Sequence, residues 1–315
     1  MTMLLFALPN NEGMCRSLEL ALNDSRSTAG DPCAEQGLMT LRPFPDGETY
    51  VRVDTPVRGR DVALVCTLDR PDDKVLPLLF LAATARDLGA STIGLIAPYL
   101  AYMRQDRRFM DGEGVTSGYF ASLVSRSFDW LVTVDPHLHR RTSLGEIYSI
   151  SSNVVHAAPR VAEWIKSHVR QPLLVGPDSE SAQWVAAVAE AADAPSIVLE
   201  KVRRGDRDVS VTVPNVERWR DHTPVLVDDI VSTAKTMIAT VRHLQLAGLA
   251  APVCVGVHAV FAPGAYDELR AAGAGRVITC NTIPHTSNGV DLSADLAVAV
   301  SNAGSTGPQS KSTHS

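Results

Sequence analysis

Short, almost wholly apolar runs recur along this chain, and most are followed by a stretch with helical spacing. VALVCTL from Val62, TIGLIAPY from Thr92, WLVTVDPH from Trp130 and LLVGPD from Leu173 are of this kind. So are SIVLEKV from Ser196, PVLVDDI from Pro224, PVCVGVHAVF from Pro252 and RVITCNTI from Arg276. A strand with one solvated face alternates apolar and polar side chains, whereas one that is apolar throughout must be covered on both faces. Helical patterns fill the gaps, at about 74–88, 115–128, 157–169, 180–192, 233–247 and 264–272. The alternation predicts parallel sheets layered between helices. It runs twice, with a break near residues 150–156, where SISSNVVHAAP begins like a loop and ends on a proline. The expectation is two similar α/β domains, each a doubly wound parallel sheet, at residues 1–150 and 151–301. The polar, Gly/Ser-rich tail at 302–315 is expected to be disordered.

A chain of 315 residues can bury two such cores. No apolar run approaches the roughly 20 residues that span a bilayer. The start, MTMLLFALPN, lacks a basic region and a small-residue cleavage site, and reads as a first strand rather than a signal peptide. Net charge is −6, which argues against general nucleic-acid binding. The five cysteines are scattered singly, without zinc spacing, and Cys66, Cys254 and Cys280 sit in apolar runs as small hydrophobes. A cytoplasmic setting is expected. Two segments break the α/β pattern. TLRPFPDGETYVRV, residues 40–53, reads as two strands around a Pro-Asp-Gly turn, and the strand-like runs flanking RRGDRD read as a second hairpin. Both hairpins are expected to project from the sheets.

The strongest chemical signal is VLVDDIVSTAKTM, residues 225–237. Three apolar residues end in Asp228 and Asp229, at the carboxyl end of a strand, where open α/β sheets bind ligands. Ser232, Thr233 and Thr236 then bring hydroxyls to a helix N-terminus, whose exposed N–H groups and dipole suit phosphate. The acids repel phosphate and suit instead ribose hydroxyls or a bridging metal. The same pattern also fits an ordinary strand-to-helix turn with Ser232 as N-cap and solvated acids.

These residues resemble the phosphoribosyl-diphosphate loop of type I phosphoribosyltransferases and ribose-phosphate diphosphokinases. Ser232 stands where the family usually has an acid, and Ala234-Lys235 where it has Gly-Gly or Ala-Gly. Four further segments resemble the diphosphokinases in particular. In APYLAYMRQDRRF, residues 97–109, Arg104 and Gln105 match the family's nucleotide-contacting pair. In PFPDGETYVRV, Phe44, Asp46 and Glu48 match residues that contact adenine from a neighbouring subunit. In VDPHLHR, Asp135 and His137 follow a strand and match a magnesium held by nucleotide phosphates, a metal that takes few protein ligands. His137 with His139 also fits zinc or a structural pair, although no third ligand stands nearby. In LEKVRRGDRDVSV, Lys201 and Arg203 match a catalytic lysine and arginine on a flexible loop, a segment that equally reads as a solvated basic hairpin. Asp178 in GPDSESAQWV matches a metal or ribose-phosphate position, while Ser179, Glu180 and Ser181 replace the commoner glycines. NTIP, residues 281–284, extends the likeness to roughly residues 4–300.

The resemblance implies a type I phosphoribosyltransferase-like fold. It implies an ATP- and Mg²⁺-dependent transferase of nucleotide biosynthesis that makes phosphoribosyl diphosphate and AMP from ribose 5-phosphate. Asp228, Asp229 and the loop Ser232, Thr233, Ala234, Lys235 and Thr236 would then hold ribose 5-phosphate. Metal would be held through Asp135, His137 and Asp178. A homo-oligomer built from dimers, and in many members a hexamer, is implied, with no nucleic-acid or membrane partner. Two alternatives stay open: a catalytically silent, synthetase-like regulatory subunit, and a phosphoribosyltransferase that consumes the product.

Overall fold

The computed structural model of the protein describes residues 2–24, 32–138, 140–176, 181–204, 208–212 and 216–305. The chain divides into two compact units, Met1–Val155 with Ser293–Ser315, and His156–Leu292.

The first unit begins with β1 (Met3–Ala7), α1 (Glu12–Asp24) and β2 (Ala34–Gln36), followed by β3 (Met39–Pro43) and β4 (Thr49–Val53). It continues with β5 (Asp61–Val65), α2 (Asp72–Asp87), β6 (Thr92–Ala97), α3 (Thr116–Ser127), β7 (Trp130–Val134) and β8 (Ser151–Val155). Its six-stranded sheet has the order β2-β1-β5-β6-β7-β8, with every neighbouring pair parallel. The central strands are buried along nearly their whole length, as apolar sequences without alternation require. Strands β3 and β4 form a separate antiparallel hairpin that packs on α2.

The second unit contains α4 (Ala158–His168), β9 (Pro172–Gly176), α5 (Ala182–Ala192), β10 (Ser196–Val198), β11 (Glu200–Arg204) and β12 (Asp208–Thr212). Then come β13 (Thr223–Ile230), α6 (Lys235–Leu246), β14 (Val253–His258), α7 (Ala265–Ala271), β15 (Arg276–Cys280) and β16 (Asn288–Val290). Its parallel sheet has the order β10-β9-β13-β14-β15-β16, and β11 and β12 form the extra antiparallel hairpin. With the hairpins set aside, both sheets follow one plan, each hairpin falling between the second and third sheet strands. In both, strand order reverses between the first and third strands, so the connecting helices diverge to opposite faces there.

The structure corrects the expected boundaries. Residues 151–155, read as part of a loop-like break, form β8 and close the first sheet beside β7. SSNVV is half polar because β8 is an edge strand, so it lacks the apolar run that marks the interior strands. The last helix, α8 (Ser293–Ser305), belongs to the first unit, not to a domain ending at 301. It packs against α1, β7 and β8, and the Asn153 side chain donates to the Ala299 carbonyl at 3.2 Å. Leu296, Val300 and Ala303 are its buried stripe, so the helix runs through residues 302–305 of the expected tail. Residues 306–315 lie outside the described residues. SIVLEKV, read as one strand, splits: β10 joins the parallel sheet, Leu199 is buried at the joint, and β11 leaves as a hairpin strand. Among the described residues no helix is long and apolar enough to cross a membrane.

One packing constraint is severe. Gly94 of β6 lies opposite Trp130 of β7, whose buried ring covers it. A Cβ on residue 94 would come within 2.0 Å of the indole. Gly94→Ala is therefore expected to destabilise the protein by about 1–3 kcal/mol, the usual cost of overpacking. A lowered urea midpoint would agree with this, and an unchanged one would show that the indole can move aside.

Candidate functional site

In the second unit the site is built around the end of β13. The last three residues of this strand are Asp228, Asp229 and Ile230, with Asp228 opposite Gly256 and Ile230 opposite His258 of β14. Both acids are half-buried, and each carboxylate accepts the N–H of the next residue, at 3.0 Å for Asp228 and 2.9 Å for Asp229. Val231 then anchors the turn. Its N–H donates to the His258 carbonyl at 3.1 Å, and its buried side chain lies over Gly256, where a Cβ would stand 2.4 Å from it. A glycine at 256 is what lets the loop lie so close to β14.

Ser232 is half-buried, while Thr233 and Lys235 are exposed. The helix begins two residues later than a Ser232 cap would give. Its N-cap is Ala234, in the left-handed region at φ 54°, ψ 8°, with its carbonyl accepting the Ile238 N–H at 2.8 Å. Ala234 has no polar side chain with which to cap α6, so the first-turn N–H groups are available to a ligand or to water. The sequence places Ser232 through Thr236 in one loop, and the structure brings them together at the switch point beside Asp228 and Asp229. Asp178, which follows β9 in sequence, lies outside the described residues.

Lys201 and Arg203 stand on β11, paired in register with Val211 and Val209 of β12. The expected basic hairpin is therefore present as backbone; its turn lies outside the described residues.

In the first unit the expected ligand residues lie in three places. Phe44, Asp46 and Glu48 are exposed at the tip of the β3–β4 hairpin. Gly47, at φ 92°, allows the turn, and Asp46 Oδ1 accepts the Glu48 N–H at 3.2 Å. The Phe44 ring meets Tyr50 edge-on at 5.7 Å, and the Arg42 guanidinium lies over both rings, 5.1 and 4.4 Å from their centroids. Arg104 and Gln105 follow β6. Arg104 is exposed, and Gln105 Oε1 accepts from the Thr116 hydroxyl at 3.1 Å. Asp135 and His137 follow β7 in a tight turn, with the His137 N–H donating to the Asp135 carbonyl at 2.9 Å.

Sequence reasoning missed the tie between the last two loops. The Asp106 side chain is only 7% exposed and pairs with Arg140 at 3.2 Å, while Arg141 donates to the Asp106 carbonyl and to the Ser117 hydroxyl. The RRF and HRR sequences signal cations, but nothing local says which carboxylate they meet. Backbone strain is a further signal that sequence does not carry. Among the described residues eight non-glycines have positive φ, and four of them (Tyr102, Asp135, His137 and Ala234) lie in the loops after β6, β7 and β13. Such strain persists where surrounding packing enforces it, often at ligand sites.

No group of three or more His, Cys, Asp or Glu that could hold a metal by itself occurs among the described residues. The Asp135 and His137 pair fits magnesium, which keeps waters and takes phosphate oxygens; His139 lies outside the described residues. The buried cysteines are inert: burial pushes the Cys15, Cys66 and Cys254 thiols up to about 12.

Known proteins resemble this chain along most of its length. Residues 10–127 match the N-terminal domain of ribose phosphate pyrophosphokinase, and residues 150–295 match the phosphoribosyl transferase domain. The ribose-phosphate pyrophosphokinase of Saccharolobus solfataricus is 35% identical over 266 residues, covering 82% of this chain and 89% of that protein. That of Methanobrevibacter smithii is 30% identical over 297 residues, covering 90% and 97%. The crystal structure of phosphoribosylpyrophosphate synthetase from Mycobacterium smegmatis superposes with a TM-score of 0.81. It covers 96% of this chain and 98% of its own, and at 23% identity it supports the fold.

The left-handed Ala234 gives a direct test of the loop. An L-residue in this region costs roughly 1–2 kcal/mol, against which glycine loses more chain entropy on folding. Ala234→Gly is expected to stabilise the protein by about 0.5–1 kcal/mol. A denaturation midpoint that falls instead would mean that the left-handed turn at Ala234 is absent in solution.

Proposed function

The chain belongs to the ribose-phosphate pyrophosphokinase family, and from that premise we propose that it transfers the diphosphoryl group of Mg-ATP to the C1 hydroxyl of D-ribose 5-phosphate. The observation that carries this reading is the end of β13. Two acids, a left-handed loop bearing hydroxyls and an uncapped helix start converge there, and this set suits a sugar phosphate and little else.

The C1 oxygen attacks the β-phosphorus, the bond from that phosphorus to the α-β bridging oxygen breaks, and AMP leaves with the bridging oxygen. The hydroxyl proton passes to solvent. Asp228 and Asp229 accept hydrogen bonds from ribose hydroxyls and so orient the C1 oxygen. Ser232, Thr233 and Thr236, with the N–H groups of Ala234 and Lys235, hold the 5-phosphate. Arg104 and Gln105 hold the nucleotide, and Phe44, Asp46 and Glu48 hold the adenine of a neighbouring subunit, which makes the active form a homo-oligomer. Magnesium would be held by Asp135 and His137, and by Asp178, and would supply neutralisation of phosphoryl charge. Lys201 and Arg203 add charge where it develops on the transferring group, which stabilises the transition state more than the ground state.

AMP formation from ATP that depends strictly on ribose 5-phosphate tests the reaction. A folded protein that forms none would be the silent regulatory subunit. Lys201→Ala is expected to lower kcat by ~10²–10³ with little change in either KM, the usual loss for one preorganised donor. Arg203→Ala should act in the same direction, and the double variant should fall short of the product of the two. Near-normal turnover of Lys201→Ala would reduce the hairpin to a solvated basic ribbon.

Lys235 is an exposed cation in the first turn of α6, where the helix dipole disfavours it unless an anion is bound. Lys235→Gly is therefore expected to raise KM for ribose 5-phosphate more than KM for ATP. Equal effects on both substrates, or none, would remove Lys235 from the phosphate.

A further inference from the structure

The Ser232 carbonyl is held from outside its own loop. Ala262 donates its N–H to that carbonyl at 3.1 Å, and Ala262 lies in the turn after β14, whose last residue, His258, accepts the Val231 N–H at its carbonyl. The sugar-phosphate loop therefore lies along residues 258–262, and its position follows theirs. Those residues are in turn braced by three rings. Phe261 meets His285 at 4.8 Å, tilted 35°, and meets Tyr266 edge-on at 5.5 Å, while Tyr266 and His285 meet edge-on at 4.9 Å. Each ring touches the other two.

His285 directly follows the NTIP motif, and its ring is held by that segment. Its Nδ1 accepts the Ser287 N–H at 3.1 Å and lies 2.7 Å from the Ser287 hydroxyl, which lies 2.8 Å from the buried Thr279 hydroxyl. Asn288 closes the turn. It accepts the His285 N–H at 2.9 Å and donates to the Cys280 carbonyl at 2.8 Å and the Thr279 hydroxyl at 2.9 Å. An amide donating to Nδ1 requires that nitrogen to be unprotonated, so the ring is neutral with its hydrogen on Nε2. Burial acts the same way, lowering the pKa of His285 below its ordinary value.

We propose that His285 is a positioning residue for ribose 5-phosphate. Its ring packs against Phe261 and so fixes the backbone strip, 258–262, on which the sugar-phosphate loop rests. The inference gives the segment after β15 a role, and it rests on the functional reading above.

Two measurements test it, steady-state kinetics and calorimetric binding of ribose 5-phosphate, on wild type, His285→Ala and His285→Phe. His285→Ala should raise KM and weaken the affinity for ribose 5-phosphate by about 3- to 10-fold, the range that one aromatic contact supplies. KM for ATP should stay unchanged. His285→Phe keeps a ring against Phe261 and should recover most of the loss. Unchanged constants, a parallel rise in both KM values, or a Phe variant as impaired as the Ala variant would overturn the proposal. If His285→Ala fails to fold, Phe261→Leu breaks the same contact from the other side, with the same expected split. A wild type that binds ribose 5-phosphate without turnover would defeat the functional reading while leaving the binding comparison decisive. A wild type that does not bind it would defeat both.

Discussion

The parallel ladder that seats β13 between β9 and β14 is the constraint from which the site follows. Val225 and Leu226 of β13 are in register with β9 on one side and β14 on the other. Chain connections from these neighbours run in opposite directions, so the right-handed crossovers send α5 and α6 to opposite faces. The crevice this leaves lies at the carboxyl end of β13, and the sequence puts two acids there. Gly256 then admits Val231, which draws the turn against β14 and delivers Ala234 to the start of α6. Each step depends on the register of the one before it.

The first unit repeats the topology but fills the corresponding crevice with its own side chains. Between β1 and β5, the buried Asn11 accepts the Thr67 N–H at 2.7 Å, and the Lys74 ammonium meets the Thr67 carbonyl at 3.0 Å and pairs with Asp69. Its candidate ligand residues lie instead after β6 and β7, in loops joined by Asp106, Arg140 and Arg141. One plan thus carries two different sites. The difference lies in which strand ends the unit fills with its own Asn11, Lys74 and Asp69.

Much of this was legible because buried parallel strands leave no choice of composition. The runs at Val62, Thr92, Trp130, Pro224 and Pro252 became strands β5, β6, β7, β13 and β14, which sets Asp228 and Asp229 near the end of β13. What escaped had a weaker local signal. The three-residue strands β2 and β16 are too short for a pattern, β8 is half polar, and α8 ends in Asn-Ala-Gly-Ser, which reads as tail until Leu296 and Val300 are seen packed on the first unit. The left-handed turn at Ala234 escaped because alanine does not announce positive φ. The Asp106–Arg140 pair and the ring triad around His285 are contacts between loops distant in sequence, and local periodicity carries no trace of them.

The central claim is that the transferred group is a diphosphoryl unit and its acceptor the sugar whose phosphate rests on the loop after β13. ATP labelled separately at its β- and γ-phosphorus, incubated with ribose 5-phosphate, measures this directly. The account predicts that both labels arrive together on the sugar while unlabelled AMP appears in equal amount. Transfer of the γ-label alone, with the β-label left in ADP, would contradict it.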